Sequence, residues 1–413
     1  MDLVYTLFMV AVWFLSTFFT ISFLLHVIKH RDRLSESREF DFSKQARRVS
    51  IVIPAFNEEE RLGQTLASLE MLDYPKDLYE VIVVNDGSSD GTARVAAQYA
   101  DGRHVILIDN QENKGKAASL NDGIERATGE FIACMDADSQ PRPDVLKKTL
   151  PYFSNKAVGA VTVTVKVQSA KSLLHKLVDL EYIIGLSLFL KVMSLFDCVI
   201  VTPGPFSIYR ADLLRKLGGF DRQNIVEDME IAYRIHREGF RIEHSMDTHV
   251  STYIPQTFGA LYTQRKRWYS GALLTFWQHK GTLLRHDMGL FRYFIPYQYG
   301  LILLGVALFL YTGFLWFRNA FTQLSYYALT NFNFFSQFKF DFDVLGISIF
   351  SFFGVTAILL TVLFVSIGLK VTNHSRKKMA FGVFGYIALY FLYQFFWISS
   401  LGLILLRRRP RWR

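Results

Sequence analysis

Four uncharged apolar stretches, at residues 3–25, 293–317, 344–369 and 379–406, bracket a charged middle. Each is long enough to cross a bilayer, for which roughly 20 apolar residues suffice. The first differs from a cleaved leader: it lacks a basic start, and its apolar run exceeds the roughly 7–15 residues of a signal peptide. The expected organisation is an N-terminal membrane helix (1–29), a charged linker (30–46), a soluble domain with interfacial helices (47–285) and a C-terminal membrane region of about three spans (286–413).

The net charge of +9 over 413 residues raises nucleic acid as a partner. Many of the cations, however, sit at the edges of apolar runs: Lys29, Arg31 and Arg33, then Arg376, Lys377 and Lys378, then Arg407, Arg408, Arg409, Arg411 and Arg413. That distribution fits cytoplasmic flanks and anionic headgroups, so membrane lipids are expected partners and nucleic acid is not. Lys29 to Arg33 place the soluble middle in the cytoplasm of a multi-pass cell-membrane protein. Three later crossings would leave the C-terminus outside, whereas its arginines favour the inside. Either one late segment is re-entrant or interfacial, or a further crossing lies within 320–340. Cys134 and Cys198 lack the CxxC spacing of a zinc site and make no disulfide framework.

Within the middle, the β-branched runs RVSIVIPAF (48–56), EVIVVND (80–86), HVILID (104–109) and EFIACMD (130–136) alternate with helix-like segments. This predicts an α/β domain with a mostly parallel sheet covered on both faces. Ligands of such sheets bind at the carboxyl ends of the strands, where Pro54, Asp86 and Asp136 fall. A second half begins with the strand-like AVGAVTVTVKV (157–167). Residues 172–196 and 282–298 are suited to lie in the membrane interface, with an ordinary core helix as the alternative for the first.

Four motifs carry chemistry. VNDGSSDG puts Asp86 at a strand end with glycines behind it, so backbone and carboxylate can approach a base or ribose. A nicotinamide-cofactor fold would need GxGxxG after the first strand; the chain has NEEERLG. Asp136 and Asp138 flank one residue, so extended geometry points both to one side, where Mg2+ or Mn2+ would relieve their repulsion and bridge to a diphosphate. Glu227 and Asp228 open a helix that stops at Gly239, and Asp228 is the candidate general base. Gln264, Arg267 and Trp268 share one helical face, offering hydroxyl binding, a diphosphate clamp and a stacking surface. An amphipathic surface helix with Arg265 and Lys266 on lipid phosphates would explain the charges alone.

Taken in order, PAFNEE, VVNDGSSDG, NKGKAASLNDGI, MDADS, GPFSIYR, VED and QRKRW resemble the membrane-embedded family 2 glycosyltransferases that synthesise hyaluronan, chitin, cellulose and poly-N-acetylglucosamine. The resemblance covers about residues 48–280, with Val226 in place of the family's threonine. It implies a GT-A (Rossmann-like) fold in which Pro54, Asn57, Glu58, Asp86, Lys116, Asp136 and Asp138 contact the nucleotide donor, the last two also holding the metal. Asp228, beside Glu227, would be the base. Gln264 and Arg267 would line the diphosphate, and Trp268, Pro203, Gly204 and Pro205 the acceptor. The implied activity is inverting, metal-dependent transfer from a nucleotide-diphosphate sugar, expected to be UDP-linked, to a growing polysaccharide. A glycolipid synthase acting once or twice on a ceramide or polyprenyl-phosphate acceptor is the alternative. A small accessory membrane subunit or an oligomer is left open. A non-catalytic nucleotide-binding membrane receptor is the alternative from another class; a transporter finds little support, because the last spans carry no buried charge, and a two-acid hydrolase would need neither metal pair nor clamp.

Overall fold

The computed structural model describes residues 3–34, 38–168, 172–329, 349–371 and 379–406. Eight strands form one sheet: β1 (Val49–Ala55), β2 (Tyr79–Asp86), β3 (Val105–Asn110), β4 (Phe131–Cys134), β5 (Ser139–Pro141), β6 (Val158–Val167), β7 (Ser207–Arg210) and β8 (Arg241–Thr252). Their spatial order is β3-β2-β1-β4-β7-β6-β8-β5. The half from β3 to β4 is wholly parallel. Beyond it the sheet is mixed, with β7 antiparallel to both neighbours, β6 parallel to β8, and β5 antiparallel to β8.

The parallel half is buried on both faces, which is why its strands read as unbroken apolar runs. Alternate side chains serve different cores. Ile51, Ile53, Val81 and Val83 pack with Leu62 and Leu66 of the helix Glu59–Glu70. Val52, Ile82 and Val84 pack with Leu120 and Ile124 on the opposite face; these two belong to helix α2 (Lys116–Arg126), which follows α1 (Leu3–Lys29) in our numbering.

The second core runs on into the apolar helices. It includes Phe23 and Val27 of α1 together with Phe291, Ile295 and Trp397. Residues 172–196 fold as α3 (Leu173–Glu181), a π-helical stretch (Tyr182–Phe189) and α4 (Leu190–Leu195). Only the front of this segment is exposed, at Leu173; Leu180, Ile183 and Ile184 pack against Val365, Leu369 and Leu389. It therefore lies largely as a core helix between sheet and C-terminal helices. Residues 282–298 are two short 3-10 turns that lead into a long helix, which already contains Arg292 and Pro296.

After α5 (Glu227–Arg237) and α6 (Phe258–Gln278) come α7 (Phe291–Leu329), α8 (Ile349–Val371) and α9 (Met379–Leu405). Three segments are long and apolar enough to cross a membrane: Tyr5–Lys29, Phe291–Tyr326 and Ile387–Leu405; α8 adds the shorter apolar stretch Val355–Lys370. Residues 330–348, 372–378 and 407–413 lie outside the described residues, and with them most of the questioned 320–340 stretch, the Arg376–Lys378 triplet and the arginine tail.

Candidate functional site

The loops after β1 and β2 are laced together before any ligand is considered. Asn57 holds a left-handed backbone (φ 56), accepts from the Ser89 N–H at 2.9 Å and donates its own N–H to Ser88 at 3.0 Å. A non-glycine residue in that region costs on the order of 1 kcal/mol. Glu58 follows, its N–H bound to Thr92 and its carboxylate 3.7 Å from Arg61.

Asp86, 3% exposed, ends β2 and accepts from the backbone N–H groups of Lys114 and Gly115, both at 2.9 Å. Gly87 makes this approach feasible: at φ 67, a Cβ there would sit 2.6 Å from the Glu112 backbone. Asp86 thereby fixes the loop that delivers Lys116 at the start of α2.

Lys116 is the hub. Its ammonium lies 2.7 Å from Asp136 and 2.9 Å from Glu227. Burial opposes its charge, but Asp136, Glu227 and Asp228 outweigh that and raise its pKa. The Asp136 N–H donates to the Gly204 carbonyl at 3.0 Å, and a Cβ on Gly204 would come within 2.7 Å of the ammonium and 2.8 Å of the Asp136 carboxylate. Only glycine lets the 203–205 backbone pass so near these charges. Asp138 lies past Asp136 in the turn after β4, where it accepts from Thr252 at 3.2 Å and lies 3.8 Å from Arg61. Burial, then the neighbouring Asp136, pushes its pKa up to about 6.

Glu227 and Asp228 occupy the first turn of α5. Thr202 clasps this turn by donating both its N–H (3.0 Å) and its hydroxyl (2.8 Å) to the Asp228 carbonyl. Burial, then Glu227, pushes the Asp228 carboxyl up to about 7, with Lys116 and Arg267 pulling the other way. Arg267 reaches this turn from α6 through a 3.4 Å contact to the Ile225 carbonyl.

Pro54, Lys116, Asp136, Pro203, Gly204, Glu227 and Asp228 line one narrow cleft. Asp86, Asp138 and Arg267 do not line it: Asp86 holds the loop before Lys116, Asp138 lies close enough to feel the charges of Asp136 and Lys116, and Arg267 acts on Asp228. Asn57 and Glu58 sit on the adjoining loop, while Pro205, Gln264 and Trp268 do not line it. On α6, the order of importance expected from QRKRW changes. Arg265, which the alternative of an amphipathic surface helix would set at lipid phosphates, is 0% exposed and pairs with Glu181 of α3 at 2.6 Å. Its guanidinium covers the Trp268 ring at 4.1 Å and donates to Gln264. The reason is geometric: the helical face that meets α3 is the one carrying position 265. Sequence reasoning also passed over Thr202 and Arg61; their signal was adjacency, Thr202 before the Pro203–Pro205 turn and Arg61 one turn into the helix after Asn57.

Among the described residues, no group of three or more His, Cys, Asp or Glu side chains is placed to hold a metal. Asp136 and Asp138 nevertheless suit a hard cation that takes only one or two protein carboxylates and completes its shell with phosphate oxygens and water. Asp136, Glu227 and Asp228 also stand against two cations, Lys116 and Arg267, so the acidic side of the cleft keeps an excess of negative charge.

The sequence model of glycosyl transferase family 2 matches residues 50–218. Poly-beta-1,6-N-acetyl-D-glucosamine synthase of Staphylococcus epidermidis is 30% identical over 244 residues, 57% of this chain and 58% of that protein. The protein of the same name from Staphylococcus aureus strain COL is 30% identical over 229 residues, 54% of each. The matches thus span a little over half the length of these relatives. A solved mannosyltransferase from Pyrobaculum calidifontis, in complex with GDP-Man and Mn2+, superposes with a TM-score of 0.61 at 20% identity, covering 97% of this chain and 99% of that one. At that identity the likeness is one of fold.

Proposed function

The chain carries a family 2 glycosyl transferase domain, and on that premise we propose that it transfers a sugar, with inversion, from a nucleotide-diphosphate donor to an acceptor hydroxyl, with Asp228 as the base. The supporting observation is the raised Asp228 carboxyl opening into the cleft that Lys116 and Asp136 share. The names of the relatives point to N-acetylglucosamine as the sugar and a β-linked polysaccharide as the product; the UDP linkage of the donor is what the family resemblance implies. With the flank from Lys29 to Arg33 on the cytoplasmic side, the domain works at the inner membrane face of a multi-pass protein.

The acceptor hydroxyl gives its proton to the Asp228 carboxylate while its oxygen bonds the anomeric carbon. The bond from that carbon to the β-phosphate oxygen breaks on the opposite face, and the diphosphate leaves with the electron pair. Asp228 then returns the proton to water. Lys116 and Arg267 face the charge that develops on the leaving group. When bound, Mg2+ or Mn2+ at Asp136 and Asp138 would act as a Lewis acid toward the same oxygens. Asp86 and the 112–115 loop form the nucleotide side, Asn57 and Glu58 its rim. Pro203 and Gly204 would meet the acceptor at the cleft, and the acceptor role of Pro205, Gln264 and Trp268, which lie outside its lining, rests on the family resemblance.

The test is the full chain in lipid nanodiscs with UDP-N-acetylglucosamine and Mn2+, its product read by mass. A ladder of repeating hexosamine units supports polymer synthesis. One or two sugars on a lipid assign the chain to glycolipid synthesis, and release of free sugar alone defeats both.

A further inference from the structure

A second cavity, of about 270 Å³, shares no lining residue with the cleft. It opens between the end of α1, the linker, α4 and the first residue of β8, and is lined by Arg33, Arg38, Lys191, Arg241 and Glu243 among others. It sits at the opposite end of β8 from Asp138: Thr252, the last residue of that strand, bonds Asp138, whereas Arg241 is the first. β8 bulges between Ser245 and His249 and runs beside only Val158–Val167 of β6, which places the two on the order of 30 Å apart.

This cavity is built around cations. The Tyr152 ring carries the Arg38 guanidinium at 4.0 Å and has the Lys191 ammonium 5.8 Å from its centroid. Lys191 is only 3% exposed and donates to the His244 carbonyl at 3.0 Å, so its charge is held in place at the cavity wall. Arg241 pairs with Asp197 at 3.3 Å. Four cations thus gather with three carboxylates: Asp197, Glu243, which already draws on Lys191, Arg38 and Arg241, and Asp247, which acts on the same Tyr152 ring. The cluster keeps an excess of positive charge, which a further anion at the cavity would balance.

The location identifies the anion. α1 ends at Lys29 and Arg33 follows within one turn, which is headgroup depth for a helix that spans. The His26 ring of α1 stacks on Phe196, just after α4, at 3.8 Å, so the cavity wall and the membrane helix are joined. Leu25 and Ile28, each 61% exposed, present an apolar surface one to two turns before the basic residues. We propose that this cavity binds the phosphate of an anionic phospholipid headgroup, with the acyl chains lying along the exposed apolar side of α1. The proposal rests on α1 being in the membrane and is independent of the transfer chemistry.

The experiment takes the full chain from nanodiscs containing phosphatidylglycerol and phosphatidylcholine and counts retained lipid by native mass spectrometry. The wild type should keep phosphatidylglycerol at least tenfold over phosphatidylcholine. Arg33→Gln/Arg38→Gln should lose that preference, Arg33→Lys/Arg38→Lys should keep it, and Arg241→Gln should weaken it from a separate element. Equal retention of the two lipids, or an unchanged preference in a folded glutamine variant, overturns the proposal. Displacement of the lipid by millimolar inorganic phosphate reassigns the cavity to a soluble phosphate and also overturns it. Membrane fractionation of the expressed chain reads the α1 premise separately.

Discussion

Asp86 and Asp228 stand at the same edge of one sheet, yet they are held by different forces. In the parallel half, Asp86 gives both carboxylate oxygens to backbone N–H groups, whose positions are set by the chain itself. In the mixed half, Asp136, Glu227 and Asp228 crowd around one ammonium. Backbone dipoles do not titrate and are set by the fold, so the side proposed for the nucleotide is preformed. The acidic cluster instead responds to protons, cations and the charge of a leaving group. The lesson is a division of labour: shape on one side, tunable charge on the other.

The sharpest way to break that comparison is Asp228→Asn. Losing a general base should cut kcat about 10²–10⁴-fold, while donor binding by calorimetry stays within a fewfold of wild type. Full activity in the variant would end the base assignment. The wild-type rate should fall about tenfold per pH unit below about 7, because Asp228 acts only when deprotonated and burial beside Glu227 raises its pKa to about 7. Stability should run the other way. The folded state holds that proton between its unfolded value near 4 and about 7, so Asp228 adds stability as the pH falls through 7 and withdraws it as the pH rises. Asp228→Asn should therefore raise the melting temperature at pH 8 and change it little at pH 4.

Lys116→Met should cost stability of about 3–5 kcal/mol, since it strands buried carboxylates, measurable as a lowered chemical-denaturation midpoint. It should also move the acid limb of activity to higher pH, because Lys116 is one of the charges that holds Asp228 down. Arg265→Met should show a loss of similar size through Glu181, but its acid limb should stay near that of wild type. An equal displacement in both variants would erase the distinction between the titrating cluster and the scaffold.

Much of this was legible because parallel strands buried on both faces advertise themselves. The runs 48–56, 80–86, 104–109 and 130–136 appear as β1 to β4 with ends shifted by a residue or two. Pro54, Asp86 and Asp136 came with them, since a strand end positions whatever follows it. Asp138 was placed less well. Extended geometry was expected through 138, but the strand ends at Cys134, and Asp138 turns toward Thr252 and Arg61. The mixed half was harder because β7 and β5 owe their pairing to partners far along the chain. Local pattern on α6 likewise could not tell which arginine faces α3: Arg265 and Arg267 differ by two residues, about 200° around a helix, and only the docking of α6 on α3 selects Arg265 for burial.

Gly204 and Thr202 supply the smaller tests, both at the seam between the two regimes. Gly204→Ala would bring a methyl within 2.7 Å of the Lys116 ammonium, whose flexible end can retreat, and 2.8 Å of the Asp136 carboxylate. The displaced pair should cost about tenfold in kcat/KM with a modest loss of stability of about 1–3 kcal/mol. Thr202→Val is milder. It removes the 2.8 Å hydroxyl bond to the Asp228 carbonyl while the 3.0 Å backbone N–H bond persists. One of two donors to a single carbonyl is worth about 1 kcal/mol, so kcat should fall less than tenfold with KM for the donor unchanged. Thr202→Ser, which keeps the hydroxyl, should restore the rate. That rescue matters more than the loss, because a merely space-filling role would be served better by valine, the closer match in shape. If serine fails where valine succeeds, the first turn of α5 is set by packing, and the contrast between a fixed nucleotide side and a charge-tuned catalytic side no longer passes through residue 202.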